Sequence, residues 1–452
     1  MKIIIAGGGK VGLTLVRQLS AEGHDLTIID RDKLVLEKTV DRYDTMVVSG
    51  NCASRDVLLS AGVEDADLLI AATAMDEINL LCCMTAHGLN KNLHTIARIR
   101  TPEYAEQIMT MRDIFPLSMT FNPEMQSALE IERLLKFPGF LRREPFANDQ
   151  AQIVELRIDS SSKLCNLSLS EMGSVIKCRV LVCAVLRAGS AVAPTGNFVL
   201  KEGDRIFVTA PTANLAILLK NLGIVTRKVR SVLICGGGRI SYYLTKFLED
   251  ENMSVKILEK DHDRCVSLAS SFAYATVVHA DCSSHATLDT EGLEKMDAVV
   301  TLTGMDETNM IISLYAGSRG VGQIITKLGR TENNRLADTM ALGSTISPKD
   351  LCCNSIVRYV RAMQNQTGAA ISLHTIADGQ VEAIEFLADE STRNCGKPLK
   401  ELKLRPNVLI ASITHGADTQ IPNGNSVFYP GDSVLVVTSG RGVLQGLNDI
   451  FA

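Results

Sequence analysis

The chain has 452 residues, of which 46% are hydrophobic and 21% are charged, and its net charge is −5 at neutral pH. That charge argues against the concentrated basic face that binds nucleic acid, and no apolar run approaches the ~18–20 residues that span a bilayer. We therefore expect a cytoplasmic protein of about three or four domains, which acts at a membrane only through a partner protein.

The first 140 residues alternate between apolar strands and amphipathic helices. Unbroken apolar runs predict strands at Ile3–Ala6, Leu26–Ile29, Thr45–Val48, Leu68–Ala72 and Leu93–Arg98. Helices are predicted over Val11–Ser20 and Glu124–Lys136. Strands without polar alternation are typical of a parallel sheet that is covered on both faces. This part of the chain is therefore predicted to be an α/β domain of the Rossmann type.

The next segment, residues 141–226, has a different pattern. Gln152–Ile158, Val180–Leu186 and Phe198–Val208 are predicted strands, and a helix is predicted over Thr212–Leu222. The segment contains no cluster of catalytic residue types. We interpret it as a small α+β module.

The remainder of the chain repeats these two parts. Gly7 returns as Gly236 and Asp30 as Glu259, both after 229 residues, and Pro194 returns as Pro422 after 228. The predicted fold class is α/β, with two Rossmann-type parallel-sheet domains, each followed by a small α+β module, as a tandem duplication. The predicted domains are residues 1–140, 141–226, 227–369 and 370–452.

A glycine-rich turn follows the first strand. Gly7, Gly8, Gly9, Lys10, Val11 and Gly12 form G-x-G-x-x-G, which opens a helix, and Asp30 ends the second strand. In this context the motif predicts a dinucleotide site, with the pyrophosphate at the helix N-terminus and the ribose hydroxyls on the acid. Because a carboxylate repels a 2′-phosphate, Asp30 favours NAD(H) over NADP(H). The alternative is a turn that binds no phosphate.

The second copy of the turn departs from the first in two places. Gly236, Gly237, Gly238, Arg239 and Ile240 match the first loop, but Ser241 replaces the third glycine and Glu259 replaces the aspartate. The third glycine serves helix packing, so a serine is tolerable with a slightly displaced helix. Glutamate keeps the ribose acceptor but is expected to reach further. The second site is predicted to bind a nucleotide, and the alternative is a degenerate structural copy.

Further candidates for nucleotide binding lie where the strands end. In the first half they are Arg31, Asn51, Cys52, Thr73, Ala74, Asp76, Asn79 and Arg98, and in the second half they are Lys260, Asp281, Cys282, Thr303, Gly304 and Lys327. Lys10, Arg98, Arg239 and Lys327 supply cations for phosphate oxygens. The acidic residues after the fourth strands have the alternative role of capping helices.

The twelve cysteines do not have the spacing of a metal site. The sequence has no C-x-x-C, only the adjacent pairs Cys82-Cys83 and Cys352-Cys353 in apolar surroundings, whereas zinc ligands usually occur in pairs two to four residues apart. We expect reduced thiols in the core and no bound metal.

These motifs together resemble a known family. A Rossmann half that ends in A-A-T-x-x-D-E-x-N, followed by a module with P-x-G and G-D, twice over, is similar to the TrkA family of tandem RCK (regulator of K⁺ conductance) proteins. The resemblance implies binding of NAD(H) and of adenine nucleotides such as ATP or ADP. It also implies a homo-oligomer, a dimer or a tetramer ring, on the cytoplasmic face of the membrane, where it regulates a TrkH-type potassium-uptake subunit.

Two other functions remain open from the sequence. An NAD-dependent dehydrogenase needs a proton donor or acceptor near the nicotinamide, but the eight histidines are scattered and no separate substrate domain lies between the repeats. A regulator of a Kef-type potassium/proton antiporter would share the single-copy domain, but the duplication favours the Trk interpretation. We expect no catalytic residues.

Overall fold

The computed structural model describes most of the chain. The described residues are 1–110, 116–136, 140–147, 150–160, 162–222, 228–330, 340, 342–364, 370–377, 379–439, 444 and 446–452. The chain divides into two compact units, residues 1–129 with 347–357 and residues 130–346 with 358–452. No helix in the described ranges is both long enough and apolar enough to cross a bilayer.

The first unit is built on a six-stranded parallel sheet. Its strands are β1 (Lys2–Ala6), β2 (Asp25–Asp30), β3 (Met46–Ser49), β4 (Leu68–Ala71), β5 (His94–Arg98) and β6 (Met119–Phe121), in the spatial order β3-β2-β1-β4-β5-β6. The helices are Lys10–Ala21, Lys33–Val40, Arg55–Ser60, Asp76–Leu89, Pro102–Thr110 and Pro123–Lys136, with a 3₁₀ turn at Val63–Asp65. The predicted parallel α/β sheet is confirmed, and β6 is a strand that the sequence did not predict.

The order of these strands positions the candidate site. The chain direction across the sheet reverses between β1 and β4, which are neighbours in register from Ile3 with Leu68 to Ala6 with Ala71. In sheets of this kind, ligands bind beyond the carboxyl ends of the strands at this reversal. The glycine loop lies there because it directly follows β1. Residues of β4 are all buried, which explains why their sequence shows no polar alternation.

The second unit begins with an antiparallel module. Its strands are β7 (Arg142–Phe146), β8 (Ala151–Arg157), β9 (Leu181–Arg187), β10 (Ser190–Val192) and β11 (Arg205–Pro211), in the order β10-β9-β11-β8-β7. The helices are Met172–Ile176 and Leu215–Leu222, and Thr212–Asn214 is a 3₁₀ turn. The prediction of one strand over Phe198–Val208 was wrong. Only Arg205–Pro211 is a strand, because the turn at Gly203, where φ is +88°, interrupts the run.

A second parallel sheet follows in the same unit. Its strands are β12 (Ser231–Cys235), β13 (Ser254–Glu259), β14 (Thr276–His279), β15 (Ala298–Thr301), β16 (Gln323–Lys327) and β17 (Ser344–Ile346), and their order repeats that of the first sheet. The helices are Arg239–Asp250, His262–Ser271, His285–Thr290, Asp306–Ser318 and Pro348–Gln364, with a 3₁₀ turn at Leu293–Lys295. The tandem duplication is therefore confirmed at the level of strand order.

The last part of the chain is a second antiparallel module. Its strands are β18 (Ala370–Ile376), β19 (Val381–Leu387), β20 (Val408–His415), β21 (Asp418–Gln420) and β22 (Ser433–Thr438), in the order β18-β19-β22-β20-β21, with 3₁₀ turns at Leu399–Glu401 and Leu447–Ile450. One hydrophobic cluster contains side chains of both modules, among them Phe146, Phe207, Ile376 and Val437. Burial of these side chains stabilises the modules together.

Candidate nucleotide-binding sites

The first glycine loop has the shape that a pyrophosphate requires. Gly7 has φ of +109°, and a Cβ there would lie 3.0 Å from the backbone of Ala72. A Cβ on Gly12 would lie only 1.9 Å from the carbonyl oxygen of Gly7, so this glycine permits the close approach of helix and loop. A Cβ on Gly9 would meet nothing within 4 Å. The open space lies at the one glycine that was predicted to face the phosphates.

The second loop has the same shape despite its serine. Gly236 has φ of +104°, and a Cβ on Gly238 would again meet nothing within 4 Å. Ser241 is fully buried, and its hydroxyl donates a short hydrogen bond to the carbonyl oxygen of Gly236. The serine therefore replaces a close van der Waals approach with a hydrogen bond, which explains how the helix tolerates it.

The acids at the ends of β2 and β13 are held in the same way. Asp30 accepts hydrogen bonds from the backbone N–H of Gly8 at 2.5 Å and of Asp32 at 2.8 Å. Glu259 accepts from Gly237 at 2.5 Å and from Asp261 at 2.9 Å. The expectation that the glutamate reaches further was wrong, because both of its oxygens are tied to the backbone as the aspartate's are. Each carboxylate keeps lone pairs for ribose hydroxyls.

An asparagine fixes the ends of the fourth and fifth strands in each half. Asn79 is fully buried and accepts from the N–H of Thr73 at 2.8 Å and from its hydroxyl at 2.7 Å. Its amide donates to the carbonyl oxygen of Arg98 at 2.9 Å. Asn309 makes the equivalent bonds to Thr303, at 2.9 and 2.7 Å, and to the carbonyl of Lys327 at 3.0 Å. These asparagines position the candidate binding residues.

The acidic residues Asp76 and Asp306 have a different structural role from helix capping. Asp76 accepts hydrogen bonds from the backbone N–H of Arg100 at 2.9 Å and of Thr101 at 2.8 Å. Burial acts to raise the pKa of the Asp76 carboxyl, but these hydrogen bonds outweigh it and hold that pKa below its ordinary value. Asp306 accepts from the N–H groups after β16 in the same way. Both carboxylates brace the loop after the fifth strand.

The four predicted phosphate-binding cations differ in exposure. Lys10 and Arg239 begin their helices and are exposed. The Arg98 guanidinium is largely buried, and its Nη2 lies 3.5 Å from Glu124 Oε1. Among the described residues, its Nε has no hydrogen-bond partner, and burial lowers the pKa of Arg98. Lys327 Nζ donates to the carbonyl oxygen of Leu302 at 3.1 Å.

The remaining candidates lie around the same strand ends. Val11, Cys52, Ile240 and Cys282 are buried, Asn51 is half-buried, and Arg31, Ala74, Lys260, Asp281 and Gly304 are exposed. A hydrogen bond with Cys82 lowers the pKa of Cys52, and one with Cys235 lowers the pKa of Cys282. All twelve cysteines are free thiols, and nine of them are buried.

Sequence reasoning missed two charged side chains at these sites. Glu124 contacts Arg98 in the first half. In the second half, Arg264 Nε donates to the carbonyl oxygen of Gly237 at 2.7 Å. A cation five residues after the acid of β13 was the available signal, since the first half has Val35 at the equivalent position.

Comparisons with known proteins agree with this arrangement. The TrkA-N domain model matches residues 3–114 and 232–348, and the TrkA-C domain model matches residues 153–223 and 383–448. The Trk system potassium uptake protein TrkA homolog 1 of Methanosarcina mazei is 30% identical over 443 residues, which cover 96% of this chain and 97% of that protein. The Trk system potassium uptake protein TrkA of Vibrio alginolyticus is 29% identical and covers 100% of this chain and 98% of its own length.

Solved structures share the fold over nearly the whole chain. The GsuK RCK domain superposes with a TM-score of 0.62 at 18% identity, covering 97% of this chain and 92% of that one. The GsuK channel bound to NAD superposes with a TM-score of 0.61 at 19% identity, covering 97% and 77%. Paired TrkA-N and TrkA-C domains and full-length relatives identify the chain as a member of the TrkA family of potassium-uptake proteins, which are regulatory proteins and not enzymes.

Proposed function

We propose that the chain binds NAD(H) and adenine nucleotides such as ATP or ADP, and that it thereby gates a TrkH-type potassium-uptake subunit from the cytoplasmic face of the membrane. The observation that carries the proposal is the pair of glycine loops, each open at its second glycine and each closed by a backbone-fixed acid. The named relatives support the link to potassium uptake. A Kef-type partner has less support, since these relatives match end to end.

The first half is suited to NAD(H). The Asp30 carboxylate stands where the adenosine ribose binds in this motif, and it is fixed by two backbone N–H groups. A fixed carboxylate accepts hydrogen bonds from two ribose hydroxyls and repels a 2′-phosphate. The buried Arg98 Nε, which has no partner in the described part of the chain, offers a hydrogen bond to an anionic ligand. The residues present therefore fit a dinucleotide.

The second half is suited to an adenine nucleotide with additional phosphates. Arg239 replaces Lys10 at the start of the helix and is exposed, and a guanidinium can bind two phosphate oxygens at once, whereas an ammonium is a single point of charge. We expect ATP or ADP to bind here more readily than in the first half. Equivalence of the two halves is the competing hypothesis.

The mechanism that we propose is a linkage between nucleotide and conformation. A ligand shifts a two-state equilibrium only through different affinities for the two states, with a coupling of about 1–3 kcal/mol per site. The division between the two units falls within the helix Pro123–Lys136, between Leu129 and Glu130. That helix also carries Glu124, which contacts Arg98. A phosphate that competes for Arg98 would change the contact on which the start of this helix depends.

Self-assembly of the chain is part of the proposal. On the helix Asp76–Leu89 and the residue before it, Met75, Leu81 and Met84 are exposed, with 56%, 50% and 42% of their surface accessible. The equivalent positions of the second half, Met305, Ile311 and Leu314, are also exposed. Apolar side chains repeated at matched positions form a self-complementary surface. We propose that a second copy of the chain covers it, in a dimer or a tetramer ring.

The domain limits are part of the same proposal. We place them at residues 1–140, 141–226, 227–369 and 370–452, with nucleotide binding in the first and third domains. The changes from parallel to antiparallel sheet, between Phe121 and Arg142 and between Ile346 and Ala370, support the first and last of these limits. The junction at residues 226 and 227 lies outside the described residues.

Calorimetric titration of the full-length chain tests the nucleotide proposal. We expect two binding events per chain, one of which prefers NADH to NADPH. Equal affinity for NADH and NADPH at both events would overturn the assignment of Asp30. Potassium flux into vesicles that contain a TrkH-type subunit, measured with and without the chain, tests gating, and flux that ignores both the chain and the nucleotides would overturn that part.

A further inference from the structure

The second glycine loop has a guanidinium that the first lacks. Arg264 lies in the first turn of the helix His262–Ser271, where its backbone N–H is capped by the Asp261 carboxylate at 2.8 Å. Its Nε donates to the carbonyl oxygen of Gly237 at 2.7 Å. Among the described residues, the structure shows no hydrogen bond from its Nη1 or Nη2, and the side chain is half-buried. The outer edge of the guanidinium therefore has donors for a ligand.

The equivalent position in the first half is apolar. Val35 stands 229 residues before Arg264, and a Cβ on Gly8 would lie 2.5 Å from Val35 Cγ1. In the second half the corresponding cover of Gly237 comes from Leu268, at 2.7 Å. The arginine is thus not needed to cover the loop. Its anchoring to the loop carbonyl leaves recognition of a ligand as its distinguishing property.

The position of Arg264 identifies the part of the ligand that it would meet. Gly237 donates its N–H to Glu259 Oε2 at 2.5 Å, and its carbonyl accepts from Arg264. The carboxylate and the guanidinium therefore flank the same residue. In Rossmann sites this acid contacts the ribose hydroxyls of adenosine, and a nearby arginine accommodates a 2′-phosphate. The guanidinium fork matches phosphate oxygens in geometry and charge.

We propose that Arg264 is a specificity-determining residue of the second site, which binds a 2′-phosphate on the adenosine ribose. The second half then accepts NADPH and other 2′-phosphorylated adenine nucleotides, whereas the first half, with Asp30 and Val35, excludes them. The inference rests on the proposed nucleotide site in the second half. It divides the two sites by phosphorylation of the ribose, in addition to the number of phosphates on the 5′ side.

The test uses the full-length chain with Gly9→Val, which fills the first loop. Calorimetry with 2′,5′-ADP and with 5′-ADP, which differ only in the placement of one phosphate, reports on the second site. We expect 2′,5′-ADP to bind about tenfold more tightly than AMP, and 5′-ADP to gain less over AMP, because the additional charge-assisted hydrogen bonds depend on the ribose phosphate. Arg264→Val should remove the gain of 2′,5′-ADP, and Arg264→Lys should keep part of it.

The opposite exchange is the matched control. In a chain with Gly238→Val, which fills the second loop, Val35→Arg should improve binding of 2′,5′-ADP at the first site relative to AMP. A gain of 2′,5′-ADP over AMP that survives Arg264→Val would overturn the proposal. So would a selective loss of ATP and 5′-ADP in that variant, since it would place Arg264 on the 5′ phosphates. If the Gly9→Val chain bound no adenine nucleotide at all, the second site itself, and with it the proposed function of that half, would be overturned.

Discussion

Two substitutions at the third glycine position show how one residue can be read in two ways. Gly12 avoids a Cβ that would lie 1.9 Å from the Gly7 carbonyl, whereas Ser241 donates its hydroxyl to the equivalent carbonyl of Gly236. The same close approach is therefore stabilised by the absence of a side chain in one half and by a hydrogen bond in the other. A departure from the motif in the sequence is not a loss of the loop's shape.

The glycines of the first loop should separate ligand binding from stability. Gly9→Val should abolish NADH binding at the first site and leave the melting temperature of the ligand-free chain unchanged, because the added side chain enters open space. Gly12→Val should lower the free energy of unfolding by about 1–3 kcal/mol or more, since the helix must move away from the loop. Calorimetry and thermal unfolding measure the two effects. Similar melting temperatures for the two variants would contradict the roles assigned here.

Asp30 should govern the choice between NADH and NADPH. Asp30→Asn should weaken NADH by about 1.5–3 kcal/mol, which is the usual value of a hydrogen bond to a charged group. NADPH should lose less, because the variant no longer repels the 2′-phosphate. Competition titrations measure the ratio of the two affinities. Glu259→Gln is the control, and it should leave the higher-affinity NADH event in place. An unchanged ratio in Asp30→Asn would show that the ribose contact lies elsewhere.

At the level of elements, the parallel strands were predictable and several antiparallel ones were not. The strands β1, β2 and β4 are continuous apolar runs because both faces of their sheet are covered. The strand β7, Arg142–Phe146, was missed because it contains charged residues and a proline. Its Arg143 is nevertheless buried, with Nε donating to Gln152 Oε1 at 2.8 Å. Pairing with a side chain on another strand cannot be read from local pattern.

In the first antiparallel module, a buried carboxylate depends on an arginine from a neighbouring strand. Asp204 is almost completely buried, and Arg187 donates to its two oxygens at 2.7 and 2.6 Å. Burial acts to raise the pKa of Asp204, but the hydrogen bonds from Arg187 and from the Lys201 backbone outweigh it, and the pKa is lowered. Because the folded pKa lies below the unfolded one, this stabilisation is present at neutral pH and is lost as the pH falls through the folded value.

Arg187→Met should therefore destabilise the module in a pH-dependent manner. We expect a loss of about 2–3 kcal/mol at pH 7, which is below the usual value for a buried pair because Arg187 is 34% exposed. The loss should shrink as the pH falls and disappear below the folded pKa of Asp204, itself under the ordinary value of 3.8. Urea unfolding at several pH values measures it. Arg179→Met, at an exposed position of the same module, is the control, and an equal loss there would contradict the argument.

At the level of the whole chain, the repeat was visible in the sequence but the division into units was not. Residues 347–357 belong to the first unit although they lie near the end of the second half. Within that unit, Cys353 Sγ lies 3.6 Å from the carbonyl oxygen of Val11, and the Gln18 amide donates to Asn354 at 3.3 Å. Contacts between residues more than 300 positions apart leave no periodic signal, and the adjacent cysteines were interpretable only as core residues.

The exposed apolar positions should control self-assembly. Leu81→Asp combined with Ile311→Asp should lower the mass of the particle in solution, because a second copy would have to bury two unpaired carboxylates. We expect the dissociation constant to rise at least about 100-fold. Light scattering across a concentration series measures it. Val266→Asp, at a position that is 56% exposed on another helix, should leave the mass unchanged. A double variant with the mass of the parent would place the interface elsewhere.

The covalent link between two unequal glycine loops has a consequence for synthesis. One loop carries Lys10 and Gly12, and the other carries Arg239 and Ser241, on a single polypeptide. Translation therefore delivers the two kinds of loop in a ratio of one to one, whatever the rate of expression. Two separate genes could drift out of balance and yield particles of mixed composition. A duplicated gene removes that source of variation, so each copy of the chain carries both loops from the moment it is made.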